Sequence, residues 1–211
     1  MTSKSIDPLG ACRAGIVCLS VVLATIGSAP VAQATAPAAA PEAAVQPGNV
    51  LRFDALTDSL IARLLLGDLV AASKFGTGRP IDDPQREREL LATVRSEATV
   101  LGIDADAAVA VFTDQISASK IVQRGLFARW TEHPDEAPTA RPDLGQIRAE
   151  LDKLTHAILA ELKTTETLRH GDSRCRPELF LAKAVGAIEH RLDALHRQAL
   201  RTAVATVCLP E

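Results

Sequence analysis

Lys74, Asp83, Arg86 and Glu87 fall within one short stretch, SKFGTGRPIDDPQRERELL, which mixes cationic and anionic side chains around a glycine-broken segment and Pro80. The chemistry open to such a set is electrostatic. Such a set could line a pocket for a small, doubly charged molecule. A solvated helix face accounts for the same charges, because Asp83, Arg86, Glu87 and Leu90 recur at i, i+3, i+4, i+7. Exposed pairs at that spacing are worth only roughly 0.2–0.5 kcal/mol. Arg63 lies eleven residues before Lys74, so the two share a face if one helix carries both. One cation flanking an apolar stripe normally snorkels to water; two in register weaken that reading. Gln115, Ser119 and Gln123 repeat every four residues between apolar positions, and buried amides need partners. Arg148 follows a proline-rich loop. Parts for other chemistries are missing. The chain has no G-x-S-x-G motif, no Gly-rich phosphate loop, and no C-x-x-C or His-rich spacing for a metal. The histidines (His133, His156, His170, His190, His196) share no short spacing beyond His190 and His196, which do not fall on a common face.

These side chains need rigid elements to hold them, and the sequence offers helices. It has no tyrosine, only 3% aromatic residues and no alternating β-branched run, while apolar residues recur at helical spacing. Five segments follow. The first spans 50–75, with Leu56, Leu60, Leu64 and Ala71 near one stripe. The second spans 82–101, opened by an Asp-Asp-Pro start and closed by Gly102. The third spans 104–131, with Val109, Phe112, Ile116 and Phe127 inward. After the proline-rich connection come segments over 143–168 and 177–206. The fold class expected is all-α, a bundle of five to six long antiparallel helices.

The chain has 211 residues, and its N-terminal part reads as export machinery. Lys4 and Arg13 precede an uncharged run, AGIVCLSVVLATI, and a small-residue site ending at Ala34. That is the layout of a secretory signal peptide over residues 1–34, with an uncleaved anchor as the alternative. Residues 35–49 are Ala/Pro-rich and form a spacer without enough apolar bulk to fold. The domain then covers 50–211, destined for periplasm or medium and without stable membrane association after cleavage. Its two cysteines, Cys175 and Cys208, can make one intramolecular bridge in an oxidising compartment. Two unpaired buried thiols are the alternative. Such a bridge stabilises by about 3–4 kcal/mol on the chain-entropy model. A net charge of −3 argues against a nucleic-acid partner.

Taken together, the spacing resembles the all-helical chorismate mutases. The stretch holding Lys74, Pro80, Ile81, Asp82, Asp83, Arg86 and Glu87 carries most of the likeness, and FTDQISASKIVQ (112–123) resembles the substrate-contacting third helix of that family. Trp130, Pro134, Pro142, Asp143, Leu144 and Arg148, with the two late cysteines and the signal peptide, resemble the exported gamma class. The resemblance implies a type II chorismate mutase fold and a concerted conversion of chorismate to prephenate, with no cofactor and no metal. Arg63 and Arg148 would each hold a substrate carboxylate. Lys74 would bond the ether oxygen and a carboxylate, and Gln123 the ether oxygen from the other side. Glu87, with the backbone near Asp83, would hold the ring hydroxyl. Ser119 would contact a carboxylate, and Arg86 would support the carboxylate cluster and the nearby acids. Some exported members carry threonine, glutamate and an apolar residue where this chain has Ser119, Gln123 and Glu87; at these three it resembles the smaller bacterial enzymes. The resemblance further implies a homodimer with each active site inside one chain. Rival readings are an isochorismate–pyruvate lyase, which shares the fold, and an exported helical interaction protein without catalysis.

Overall fold

The computed structural model describes residues 51–209; the expected signal peptide (1–34), the whole of the spacer (35–49) and both ends of the expected domain lie outside them. The described chain is helical and contains no strand. In order come α1 (Asp54–Lys74), α2 (Pro84–Leu101), α3 (Ala105–Glu132), a one-turn 3₁₀ helix (Pro134–Glu136), α4 (Leu144–Thr164), the short α5 (Glu166–Arg169), α6 (Cys175–Glu189) and α7 (Ala194–Ala203).

Local chemistry sets most of these boundaries. Asp83, Asp104, Asp143 and Asp193 cap α2, α3, α4 and α7, each accepting a backbone N–H of the first turn. Such caps are each worth about 1 kcal/mol. Pro84 occupies the first turn of α2, where a missing N–H costs nothing. Gly102 ends α2 with φ +66°, a left-handed conformation that glycine adopts freely.

The helix α1 runs through the centre and packs against α3, α4, α6 and α7. The expected stripe of Leu56, Leu60, Leu64 and Ala71 is buried, joined by Phe53 and Ile61. Of the inward set expected on α3, Phe112 is fully buried, while Val109 and Phe127 pack at the margin of the core. The crossing of α1 and α6 is close because Gly186 lacks a side chain: a Cβ there would lie 2.8 Å from Ile61 Cδ1. Cys175 and Cys208 form a disulfide that ties the start of α6 to the C-terminal segment.

Two expected elements differ. The segment expected as one helix over 177–206 is two. The chain turns at His190 and Arg191, where Arg191 takes φ 52°, and Asp193 starts α7 by capping the His196 N–H at 2.8 Å. An apolar pattern that continued across the break concealed it. Likewise the segment expected over 143–168 stops at Thr164, and Thr165 separates it from α5.

Candidate active site

The helices α1 to α4 converge on a cleft of about 770 Å³, counted to its open mouth. All eight sequence-derived site residues line it: Arg63 and Lys74 from α1, Asp83 from the turn before α2, Arg86 and Glu87 from α2, Ser119 and Gln123 from α3, and Arg148 from α4. Lys120 and Asp152 line it as well, with Val70, Ile81, Leu90, Ile116, Leu144 and Leu151 as the apolar wall. Five cations and three acids face this space, a surplus of two positive charges in a chain that is negative overall.

Arg63 does not snorkel. It is 5% exposed, its guanidinium lies 5.5 Å from the ring centre of Phe112, and its Nε has no hydrogen-bond partner. No carboxylate among the described residues lies within ion-pair distance of it. Burial pulls its pKa down to about 10, against the field of Asp152. A buried guanidinium left in this state is costly unless an anion arrives. Lys74 is half-buried and donates to the Ile81 carbonyl at 3.0 Å, which holds the ammonium against the turn. Burial lowers its pKa, while Asp83 opposes the fall and Arg148 adds to it.

Acids occupy one corner. Asp83 caps α2 by accepting from the Arg86 N–H at 3.2 Å, and its other oxygen lies 4.0 Å from Arg148. The Asp83 N–H in turn donates to Glu87 Oε1 at 3.2 Å. The cap's side chain and its own N–H are thus both engaged, the second by a carboxylate one position beyond that of a capping box. Arg86 reaches acids other than the two beside it in the sequence: it pairs with Asp152 at 3.1 Å and Glu89 at 3.8 Å. On α3, Gln123 Nε2 donates to Ser119 Oγ at 3.1 Å, leaving one amide hydrogen and the buried Oε1 without partners. Gln115, expected on the same line, lies outside the cleft. It is buried and donates to the Ala203 carbonyl at 3.2 Å, bracketing α3 to α7.

Sequence reasoning missed Lys120 and Asp152. Asp152 stands one helical turn after Arg148, a signal that was present. Lys120 adjoins Ser119 but sits off the four-residue line, and only the approach of α2 to α3 gives it partners.

Residues 54–124 match the family model described as chorismate mutase type II. The chain is 37% identical to a secreted chorismate mutase of Mycolicibacterium smegmatis over 72% of its own length and 84% of that protein. It is 33% identical to a secreted chorismate mutase of Mycobacterium tuberculosis, over 72% of its own length and 76% of that protein. Its fold superposes on the crystal structure of a chorismate mutase from Burkholderia phymatum with a TM-score of 0.71 at 38% identity, covering 75% of this chain and 97% of that one.

Proposed function

The chain belongs to the chorismate mutase type II family, as an exported member, and we propose that its cleft carries chorismate to prephenate in one concerted step. Chorismate is a dianion with an enolpyruvyl ether. In the rearrangement the ether C–O bond breaks as a C–C bond forms elsewhere in the same molecule. No proton moves and no covalent enzyme intermediate arises, so the cleft needs neither base nor nucleophile. It must hold a compact conformer and stabilise charge as it develops.

The observation that carries this reading is the surplus of two positive charges centred on Arg63, a buried guanidinium with no carboxylate partner. Arg63 and Arg148 bind the two carboxylates, for which a planar fork is suited. Lys74 and the free amide hydrogen of Gln123 meet the ether oxygen, where negative charge grows. Glu87 and Asp83 take the ring hydroxyl, Ser119 contacts a carboxylate, and Arg86 braces α2 against Asp152 on α4. A homodimer with each cleft complete in one chain belongs to the same proposal. On α6, Leu181 and Ile188, at 47% and 77% exposed, share a face, with Phe180, 66% exposed, beside it, and an uncovered apolar patch is the usual mark of an interface.

The test is to purify residues 35–211 oxidised, supply chorismate and isochorismate in parallel, and identify products. Prephenate from chorismate, with Lys74→Ala slowing turnover by about 10²–10³, is the expected result. Pyruvate from isochorismate instead would make the cleft a lyase. A folded, disulfide-bonded sample inert to both would leave it a binding site.

A further inference from the structure

We infer that Lys120 is a positioning residue for Glu87 and thereby sets the preference for a substrate with a ring hydroxyl; the inference rests on the mutase reading of the cleft. Its ammonium lies 2.8 Å from both Glu87 oxygens and 3.0 Å from Asp82 Oδ1. Arg124 holds Asp82 from the other side at 2.9 Å. The chain of contacts thus runs from α3 through Asp82, at the turn, to Glu87 on α2. The Asp83 N–H fixes Glu87 from a further direction.

The cations of the cleft therefore divide into two kinds. Arg63 has no carboxylate, and Arg148 has only Asp83 at 4.0 Å, so both are free for a ligand. Lys120 is committed to three carboxylate oxygens and to no open position. Burial opposes its charge, but the hydrogen bonds it donates to Glu87 and Asp82 outweigh that and raise the pKa. An ionised carboxylate offers about four acceptor positions, so Glu87 keeps capacity for a hydroxyl in the cleft. Without the ammonium, Asp82 and Glu87 repel each other and nothing on α3 holds the Glu87 rotamer. The charged groups facing this corner are Lys74 from α1, Asp82 and Asp83 from the turn, Lys120 and Arg124 from α3, and Arg148 from α4.

The test uses Lys120→Met, Lys120→Arg, Glu87→Gln and the Lys120→Met/Glu87→Gln pair, assayed on chorismate and on its analogue lacking the ring hydroxyl. Lys120→Met should lower kcat/KM on chorismate by about 10- to 100-fold, the effect of losing a charge-assisted hydrogen bond. The analogue should lose no more than about threefold, and Lys120→Arg should recover most of the chorismate loss. In the Glu87→Gln background Lys120→Met should add little, because the two act as one unit. Equal losses on both substrates, or additive losses in the double variant, would overturn the inference and leave Lys120 a contributor of pocket charge alone. If Lys120→Met melts below the assay temperature, Lys120→Gln takes its place in the same cycle. Wild-type chain inert to chorismate would be a different failure: it would sink the mutase reading, and the Lys120 role with it.

Discussion

Arg63 shows how function is held against stability in a single side chain. Its burial without a carboxylate partner is unfavourable, and Asp152 does not depend on it because Arg86 already pairs with that acid. Arg63→Met should therefore raise stability by about 1–2 kcal/mol while lowering kcat/KM by at least about 10². Thermal unfolding and kinetics on one preparation check both. A fall in melting temperature would mean that packing on Phe112 outweighs the desolvation cost. Gln123, proposed to meet the ether oxygen, makes the opposite case. Its amide donates at any working pH, whereas a glutamate donates only when protonated. The wild-type rate should hold steady as pH rises through neutral. Gln123→Glu should lose about tenfold per pH unit above the pKa of the new carboxyl, because deprotonation removes the donor. A mutant profile identical to wild type would remove Gln123 from the ether oxygen. Helical spacing set Arg63 in register with Lys74 and Gln123 in line with Ser119, and the family resemblance put the two lines at one site. What spacing does not carry is the state of burial: a snorkelling Arg63 and a buried one have the same register.

Between elements, α1 and α7 meet at an ionic staple remote from the cleft. His196 is buried, with one ring nitrogen 2.7 Å from Asp193 and the other 2.8 Å from Asp68. The Asp68 bond raises its pKa to about 9, against burial, with Asp193 adding to the rise. A folded-state value above the unfolded one means that protonation favours the fold. The contribution is complete below the unfolded pKa of about 6.5 and drains away as pH rises through about 9. The full shift corresponds to about 3 kcal/mol, which solvent screening of the half-exposed Asp68 and Asp193 reduces to on the order of 2 kcal/mol. Melting temperatures measured from pH 6 to 9.5 should fall, and Asp68→Asn should flatten most of that slope. A slope unchanged in the variant would show that His196 does not titrate in this window. Nothing in the sequence announced the staple. Asp68 and His196 are far apart along the chain, and their meeting depends on the break before α7, which the uninterrupted apolar pattern hid. Where caps were local, as with Asp83, Pro84 and Gly102 around α2, the boundaries fell within two residues of the expected ones.

At the scale of the whole molecule, the question is whether one chain suffices. Cleft residues come from α1 through α4, and the two arginines proposed for the carboxylates, Arg63 and Arg148, belong to the same chain and line the same space. The later elements, α6 and α7, supply no cleft residue; they cover α1 and carry the exposed apolar patch. Catalysis and association are thus assigned to different parts of the chain. If the proposed dimer forms and this assignment holds, diluting the protein through the dissociation range should leave the rate per chain unchanged as long as the fold persists. A sharper form mixes two inactive variants, Arg63→Met and Arg148→Met, after unfolding and refolding them together. Where a site draws one arginine from each subunit, mixed dimers rebuild an intact pair and activity returns. Where each cleft is complete in its own chain, every cleft in the mixture lacks one arginine, and the mixture stays as inactive as its parts. Recovered turnover would move Arg148 across an interface and make dimerisation part of the catalytic apparatus. Absence of recovery, with mixed dimers demonstrated by a tag on one variant, would establish that the four-helix cleft is self-sufficient.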